Sequence, residues 1–347
     1  MRRSLLIAVL IMGGAVAGGS LWVRNYLATP LLVPEQGYRL TIAPGTSWSA
    51  VASHLAADGI TPWAEVLRAC GRLTGQAGRI QAGEYDLLPG TTPTSLLEQL
   101  VAGKVVLHKL TIVEGWSAAE IVSAIRADPA LKATLKPIRN VPVGATLAAD
   151  LARELNLPWP SAEGAFLPET YLFASGTTDK EVLARAHAAL RDRLDEAWAA
   201  RRPDLPLKSP YELLILASIV ERETALARER PQIAGVFIRR LKRGMRLQTD
   251  PTVIYGLGSS FDGNLTRVDL ATDTPWNTYT RDGLPPTPIA TASRAAIDAA
   301  SRPADDDALF FVASGKGDGS HRFTANLQDH EAAVRAYLTE LRRRDGN

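Results

Sequence analysis

Cysteine is almost absent from this chain. Cys70 is the only one among 347 residues, which excludes an intramolecular disulfide and a cysteine-based metal site. The five histidines lack the His-x-x-x-His spacing of many zinc enzymes, which argues against zinc-dependent catalysis. Cys70 lies in a run with helical apolar periodicity, so we expect a small buried side chain there and not a nucleophile.

The chain also has no large excess of charge. Its formal net charge is +2, so bulk electrostatics give no reason to expect nucleic-acid binding. The short basic run Arg342-Arg343-Arg344 is typical of a helix C-terminus, where cations are favoured. The hydrophobic fraction of 46% is ordinary for a globular protein, and the length predicts about two to three folded units.

The N-terminus contains one long uncharged stretch. Arg2 and Arg3 precede residues 4–23, which carry no charge, and Arg24 follows. About twenty helical residues cover the roughly 30 Å hydrocarbon thickness of a bilayer, which predicts a transmembrane anchor. A cleaved signal peptide is the alternative, because Ala15-Val16-Ala17 has the small-x-small form of a cleavage site. The positive-inside rule places the N-terminus in the cytoplasm and the rest of the chain outside.

A short pattern then recurs along the chain. Leu40-Thr41-Ile42-Ala43-Pro44-Gly45 and Leu110-Thr111-Ile112-Val113-Glu114-Gly115 stand 70 residues apart, and a looser copy begins at Tyr85. Each copy predicts a strand, a glycine turn, a Ser or Thr helix cap and an amphipathic helix. Such units resemble the LysM module, which binds N-acetylglucosamine polymers; a packing unit without sugar affinity is the alternative. Trp48 and Trp116 could stack on sugar rings or belong to the core.

The predicted fold class is α+β, with LysM-like α/β modules followed by a mixed α/β catalytic domain. The predicted divisions are a cytoplasmic tip (1–3), a transmembrane anchor (4–23), a tether (24–36), a LysM-like region (37–126), a proline-rich junction (127–160) and a catalytic domain (161–344).

One helix of the last domain ends in two glutamates. Ser209-Pro210 predicts its start, and the following residues are apolar on all sides, which indicates a buried helix. Glu223 falls on an apolar stripe one turn from Ile219, where loss of hydration raises a carboxyl pKa. Because a general acid needs such a shift, Glu223 is the better candidate acid and Glu221 the better candidate for an ion pair. Alternatively, both glutamates pair with nearby arginines at the helix end.

Polar runs elsewhere in this domain suit a neutral sugar ligand. They are rich in hydroxyl, amide and aromatic groups, which bind sugars through many hydrogen bonds and stacking faces, although the same residues also build ordinary turns. These runs are Gln248-Thr249-Asp250-Pro251-Thr252, Trp276-Asn277-Thr278-Tyr279-Thr280 and Gly283-Leu284-Pro285-Pro286-Thr287-Pro288.

Together these motifs resemble the endolytic murein transglycosylases, the MltG or YceG-like family. The most specific stretch is Leu216-Ala217-Ser218-Ile219-Val220-Glu221-Arg222-Glu223-Thr224. Further similar stretches are Arg246 to Gly256, Asn277-Thr278-Tyr279 and Gly283 to Pro286, with weaker ones around Glu163-Gly164, Phe166 to Tyr171, and Gly319 to Asn326 with His330.

The resemblance implies a periplasmic enzyme, anchored in the inner membrane by one N-terminal span, that cleaves bonds between N-acetylmuramic acid and N-acetylglucosamine within glycan strands and leaves 1,6-anhydro ends. It implies that Glu223 is catalytic, first as acid and then as base, with no cofactor and no metal. It also implies peptidoglycan strands as substrate, with action on nascent strands as a terminator of glycan polymerisation, and association with peptidoglycan synthases. The candidate supporting or substrate-binding residues are Ser218, Glu221, Glu163, Gln248, Thr249, Asp250, Tyr255, Asn277 and Tyr279.

Two other functions remain open from the sequence. If the carboxylate of Asp250 lay about 5–9 Å from that of Glu223, a hydrolytic muramidase would be possible on geometric grounds. A non-catalytic protein that binds the cell wall is the other. Only a transglycosylase makes anhydro ends, which are one water molecule lighter than reducing ends.

Overall fold

The computed structural model describes residues 2–136 and 145–345, and the chain divides into two compact units. Unit 1 consists of the chain up to His108 together with Leu172–Gly176, and unit 2 consists of the remainder. The helices of the described ranges are α1 (Arg2–Ala28), α2 (Trp48–Ala57), α3 (Ala64–Leu73), α4 (Pro93–Val101), α5 (Ala118–Ala127), α6 (Ala145–Glu154), α7 (Asp179–Ala199), α8 (Pro210–Glu223), α9 (Arg230–Lys242), α10 (Asp250–Leu257), α11 (Arg267–Ala271), α12 (Arg294–Ser301) and α13 (Leu327–Asp345). The strands are β1 (Tyr38–Ile42), β2 (Gly83–Leu87), β3 (Leu107–Thr111), β4 (Thr170–Ala174), β5 (Phe310–Ala313) and β6 (His321–Thr324).

The strands form two-stranded ribbons, β1 with β2, β3 with β4, and β5 with β6. In unit 1, β1 and β2 are antiparallel, and Tyr38 is opposite Leu87 while Ile42 is opposite Gly83. Alternate side chains of this ribbon are buried because successive residues of a strand point to opposite faces. The core beneath it includes Leu40, Ile42, Tyr85, Leu87, Val51, Leu55, Leu67, Leu96 and Leu100. The combination of helices with short ribbons confirms a mixed α/β architecture.

The three copies of the repeat fold as their pattern predicts. Each is a strand followed by a helix, namely β1–α2, β2–α4 and β3–α5. The turn glycines have positive φ, 82° at Gly45, 93° at Gly90 and 76° at Gly115, a conformation that a Cβ would strain. The helices that follow are capped by Ser47, Thr92 and Ser117, whose side chains accept a backbone N–H of the first turn.

Of the two roles left open for Trp48, sugar stacking and the core, the structure supports the core and contradicts sugar stacking. Its side chain is 3% exposed, and its indole N–H donates to the carbonyl oxygen of Leu67 at 2.9 Å. Gly71 lies directly against the ring, since a Cβ at that position would fall 2.2 Å from Trp48 Nε1. Trp48 therefore joins α2 to α3 inside the core. Cys70, on the same helix as Gly71, is buried as predicted.

The N-terminal segment is helical, and α1 continues past Arg24 to Ala28. The end of α1 packs within unit 1, where Trp22 meets Trp63 edge-on at 5.5 Å between ring centroids. Among residues 2–136 and 145–345, no helix combines the length and the apolar character needed to cross a membrane. The predicted span at 4–23 is therefore not confirmed.

Helix α8 is the centre of unit 2. As predicted, Ser209 caps it by accepting the N–H of Glu212, and Pro210 is in the first turn. Its apolar residues from Leu213 to Val220 are all buried. They pack with residues of α7, α9 and α12 in a single core, which fixes the end of α8 where the two glutamates lie. In the predicted junction, Pro137 and Pro142 lie outside the described residues, as does Met1 of the predicted cytoplasmic tip.

Candidate active site

Glu223 is the last residue of α8, and the chain turns to extended backbone at Thr224. Its carboxyl is partly buried, and burial raises its pKa from the ordinary range. The hydroxyl of Thr249 opposes this shift, because Oγ1 donates to Glu223 Oε2 at 2.5 Å and a hydrogen bond favours the carboxylate. The negative charge of Asp250 raises the pKa further. The expected shift of a candidate acid is therefore present, with burial as its main cause.

Thr249 is itself held by a small network of buried threonines. Its backbone N–H donates to Thr278 Oγ1 at 3.1 Å, and its carbonyl oxygen accepts the hydroxyl of Thr252 at 2.7 Å. The hydroxyls of Thr252 and Thr278 are 2.9 Å apart. These bonds leave the Thr249 hydroxyl free to donate to Glu223, so the polar runs at 248–252 and 276–280 meet beside the candidate acid.

Gln248 precedes this network with an unusual backbone. Its φ is 50°, a left-handed conformation that costs free energy for any residue with a Cβ. Its N–H donates to the carbonyl oxygen of Thr278 at 3.2 Å, and the residue lines the same cleft as Glu223. The strain is local to the turn that brings Thr249 to the glutamate.

Asp250 and Tyr279 form a second polar pair in that cleft. The phenol of Tyr279 donates to Asp250 Oδ1 at 2.6 Å. Burial raises the pKa of Tyr279, and the hydrogen bond and negative charge of Asp250 add to the shift, so the phenol stays protonated as a donor. Asp250 thus has a partner within the site and lines the cleft with Glu223.

The cleft has a volume of about 210 Å³. Its lining includes four predicted site residues, Glu223, Gln248, Asp250 and Tyr279. It also includes six residues that were not predicted as site residues: Arg240, Leu247, Phe311, Val312, Ala313 and His321. A second, wider cleft of about 670 Å³ also borders Glu223 and is lined by Glu221, Arg222, Thr224 and residues 111–115 and 168–170. Glu223 therefore lies where two depressions of unit 2 meet.

Arg240 is a buried cation beside this cleft. Its side chain donates from Nε to Leu309 O at 2.7 Å and from Nη1 to Leu247 O at 2.8 Å. Burial lowers the pKa of Arg240, while the negative charge of Glu223 raises it. Within residues 2–136 and 145–345 it forms no ion pair with a carboxylate, which is unusual for a buried charge. Its position favours negative charge on Glu223.

His321 begins β6 and is held by Glu229. Its Nδ1 is 2.8 Å from Glu229 Oε2, and its backbone N–H donates to Oε1 at 3.2 Å. Glu229 is buried, and the imidazole lies edge-on to Phe311 at 5.5 Å between centroids. The only sequence signal for this pair was the weak family match from Gly319 to Asn326.

Glu221 forms the ion pair expected of it, with a neighbouring arginine. Arg230 Nη2 donates to Glu221 Oε1 at 2.7 Å, and both side chains are almost fully buried. The other carboxylate oxygen, Oε2, accepts the backbone N–H of Ser293 at 2.8 Å, at the start of α12. Glu221 thus links three helices, while Arg222 extends instead to the carbonyl oxygen of Gly115 at 3.2 Å.

Glu163 and Tyr255 form a buried pair away from Glu223. Glu163 Oε1 accepts the backbone N–H of Ala118 at 2.8 Å, at the start of α5, and Oε2 accepts the phenol of Tyr255 at 3.0 Å. Burial raises the pKa of Glu163 to about 7. Because Tyr255 belongs to α10, which begins at Asp250, Glu163 supports the helix that carries part of the cleft.

Two more candidates are supporting residues. Ser218 is fully buried, donates to the carbonyl oxygen of Ile215 and accepts the N–H of Ile289 at 3.1 Å. Asn277 is fully buried as well, and its amide bonds include Thr272 O at 2.7 Å. Neither side chain reaches the surface to contact a ligand. In the described ranges, no three His, Cys, Asp or Glu side chains are placed to hold a metal ion.

A sequence model of the YceG-like family matches residues 40–336. The chain belongs to this family. An endolytic murein transglycosylase of Bacillus subtilis (strain 168) is 30% identical over 342 residues, which cover 95% of this chain and 92% of that protein. An endolytic murein transglycosylase of Streptococcus pneumoniae serotype 2 (strain D39) is 29% identical over 289 residues, 75% of this chain and 51% of that protein. The chain thus spans about half the length of the streptococcal relative.

A solved structure of a YceG-like protein from Listeria monocytogenes is also similar. It is 26% identical, covers 86% of this chain and 99% of its own, and superposes with a TM-score of 0.51. Membership of the YceG-like family confirms the predicted family, and the names of the relatives agree with the predicted enzyme class, the lytic transglycosylases.

Proposed function

We propose that this protein is a lytic transglycosylase that cleaves peptidoglycan glycan strands internally, with Glu223 as its proton donor. The observation that carries the proposal is the carboxyl of Glu223 itself. It ends a buried helix, borders two clefts, has a pKa raised by burial and accepts the hydroxyl of Thr249 at 2.5 Å. The relatives named endolytic murein transglycosylases support the same activity.

The chemistry follows from the ionisation of this group. A protonated Glu223 donates to the glycosidic oxygen as the bond to the anomeric carbon of N-acetylmuramic acid breaks. The C6 hydroxyl of that sugar then attacks the same carbon and closes a 1,6-anhydro ring, so no water enters the product. The hydrogen bond from Thr249 and the buried charge of Arg240 both favour the carboxylate that remains.

The test uses purified peptidoglycan and the masses of its fragments. We expect the protein to release fragments with anhydro ends, one water molecule lighter than reducing ends. Glu223→Gln keeps the shape of the side chain and removes the proton donor, so cleavage should fall by about 10²-fold or more. Glu331→Gln, the same change on an exposed residue of α13, is the matched control. Undiminished cleavage by the Glu223 variant would exclude it as the acid.

A hydrolytic muramidase is the second candidate because Asp250 lines the cleft with Glu223. In that reaction a second carboxylate activates water or attacks the sugar directly. The hydrogen bond from Tyr279 to Asp250 favours a supporting role instead. Fragments with reducing ends alone would establish the hydrolytic reaction, and an absence of cleavage would favour a wall-binding protein without catalytic activity.

We further propose that the protein works outside the cytoplasmic membrane and is attached to it by residues 4–23, with the N-terminus in the cytoplasm. This part of the proposal rests on the sequence alone, namely the uncharged stretch between Arg3 and Arg24. Resistance of the protein to alkaline extraction from membranes, and its loss on deletion of residues 2–28, would support it. Release of the intact chain by alkali would exclude the anchor.

We propose nascent strands as the substrate and peptidoglycan synthases as partners, on the resemblance to the family, and glycan binding by the strand–helix repeats of unit 1. Sedimentation of the chain with insoluble peptidoglycan, compared between the intact protein and one lacking residues 37–108, tests the last point. Equal sedimentation would exclude it.

A further inference from the structure

Arg222 stands between the two glutamates of α8 and has no part in the mechanism above. Its side chain is exposed, and Nη1 donates to the carbonyl oxygen of Gly115 at 3.2 Å. In the described part of the chain it forms no ion pair, and its remaining N–H groups meet no protein acceptor. A guanidinium has five N–H donors in a geometry that matches a carboxylate. Arg222 therefore presents an unused anion-binding group one residue before the proposed acid.

Arg222 lies at the boundary between two depressions of unit 2. It lines the wide cleft that borders Glu223. It also lines a separate cavity of about 280 Å³, the α5–α10 pocket, which is formed by the start of α5, the end of α8 and α10. Gly115 lines both depressions as well, and a Cβ on it would lie 3.6 Å from Arg222 Cδ. The aliphatic part of Arg222 therefore rests on this turn, where pocket and cleft adjoin.

The α5–α10 pocket has few polar groups left for a ligand. Tyr255 donates to Glu163 at 3.0 Å, so these two side chains are paired with each other. Glu120 Oε2 accepts the hydroxyl of Ser117 at 2.8 Å and its backbone N–H at 2.7 Å. The aliphatic part of the lining is Ala119, Pro251, Ile254 and Ile289. A neutral sugar needs many hydrogen bonds, so this pocket suits a smaller, partly apolar group that carries a negative charge.

We propose that the α5–α10 pocket binds the stem peptide of the muramic acid whose bond is cut, and that Arg222 binds a carboxylate of that peptide. This inference rests on the proposed transglycosylase function. Muramic acid carries its peptide on the lactyl ether at C3, so a sugar ring placed against Glu223 extends its peptide into a neighbouring depression. The aliphatic lining accommodates small side chains, and Glu120 Oε1, which has no hydrogen bond in the described ranges, accepts a peptide N–H.

Arg222 is then a residue that determines specificity and takes no part in proton transfer. Glu223 remains the acid and afterwards the base of the reaction. The contact with the peptide is present both before and during bond cleavage, and such uniform binding lowers KM without changing kcat. The protein should therefore distinguish strands that carry stem peptides from strands that have lost them.

The test compares two substrates that differ only in the peptide. One is a preparation of glycan strands without cross-links, and the other is the same preparation after an amidase has removed the stem peptides. The release of anhydro ends by the full chain gives kcat/KM for each. We expect the unmodified protein to prefer the strands with peptides by about tenfold or more, the usual contribution of a hydrogen bond to a charged group. Equal values for the two substrates would overturn the inference.

Arg222→Gln should reduce this preference by about tenfold or more, mainly through KM. Arg222→Lys keeps the charge but not the bidentate geometry, so its preference should be intermediate. Arg267→Gln, the same change on an exposed arginine of α11 that lines neither depression, is the matched control. Equal losses on both substrates in the Arg222 variants would show that Arg222 acts on the sugar or on the fold, and would overturn the inference.

Two further measurements address the pocket and the carboxylate separately. Ala119→Leu narrows the pocket from α5 with a residue that helices accept, and it should also reduce the preference for strands with peptides; an unchanged preference would exclude the pocket. Conversion of the peptide carboxylates to amides should slow cleavage by the unmodified protein but not by Arg222→Gln, because the partner is already missing. Losses that simply add would show that the two groups do not interact.

The outcomes distinguish this inference from the function on which it rests. If the unmodified protein makes no anhydro ends from either substrate, the proposed function itself fails. If it makes them equally well from both, only the inference fails. Thermal unfolding of each full-length variant shows whether unit 2 remains folded, and the strands without peptides report the activity that each variant retains.

Discussion

Replacement of Glu163 by glutamine should remove a pH dependence of stability from unit 2. Burial raises the pKa of Glu163 from 4.5 to about 7, so the native state binds the proton more tightly than the unfolded chain. A raised native pKa gives stability that is fully present below pH 4.5 and is lost as the pH rises through 7. The shift of about 2.5 pKa units corresponds to roughly 3 kcal/mol.

Glutamine keeps the local hydrogen bonds of this site. Its amide oxygen can accept the N–H of Ala118, and its amide NH₂ can donate to the hydroxyl of Tyr255, because a phenol accepts as well as donates. The variant therefore resembles the protonated form of Glu163 at every pH. We expect similar free energies of unfolding below pH 4.5 and a variant that is more stable by up to about 3 kcal/mol at pH 8.

The assay is urea unfolding of the full chain at several pH values, with each unit followed separately. Cys70 is buried in unit 1, so the reactivity of its thiol identifies the transition of that unit, and the remaining transition belongs to unit 2. Other groups titrate equally in both proteins, so the difference between their free energies of unfolding at each pH reports the contribution of Glu163 alone. The control Glu331→Gln, on an exposed residue, should not change how the free energy of unfolding depends on pH. Parallel pH curves for the Glu163 variant and the unmodified protein would refute the reasoning.

Three other substitutions test the remaining contacts. Thr249→Val removes the hydrogen bond that lowers the pKa of Glu223, so the fall of kcat/KM on the alkaline side of its pH profile should move to higher pH. An unchanged pH profile would contradict the role of Glu223 as the acid. Glu221→Gln leaves the buried guanidinium of Arg230 with only the exposed and more distant carboxylate of Glu114, 4.0 Å away. It should destabilise unit 2 by about 3 kcal/mol in urea unfolding, whereas a loss under about 1 kcal/mol would show that the pair is solvated. Gly71→Ala places a Cβ 2.2 Å from Trp48 Nε1 and should destabilise unit 1 by about 1–3 kcal/mol. The reactivity of the Cys70 thiol in urea measures this loss. Unchanged reactivity would mean that the Trp48 ring moves aside without cost.

Local patterns in the sequence predicted much of this protein. The apolar run before Glu223 predicted a buried helix. The positions of the two glutamates on that helix predicted a raised carboxyl pKa for Glu223 and an ion pair for Glu221. The repeats predicted a strand, a turn and a capped helix at three places, because glycine and Ser or Thr act on their own backbone. These features depend on neighbours within about one helical turn.

Features that depend on distant contacts could not be predicted. Arg240 looks like an ordinary cation near the end of a helix, and its burial depends on backbone carbonyl oxygens such as Leu309 O, 69 residues further along the chain. Glu229 likewise meets His321 across 92 residues. The sequence left the role of Trp48 open because a tryptophan beside a helix start looks the same whether its indole faces water or Leu67 O.

The late position of the β5–β6 ribbon in the chain determines when the site is completed during folding. Glu223 and Thr249 are 26 residues apart, whereas His321 comes late in the chain. A polypeptide that stops before His321 has the candidate acid but lacks one wall of its cleft. Contacts between residues so far apart in the chain form more slowly than the local contacts of α8. Incomplete or partly folded copies should therefore lack the complete cleft around Glu223, which exists only once the last ribbon is in place.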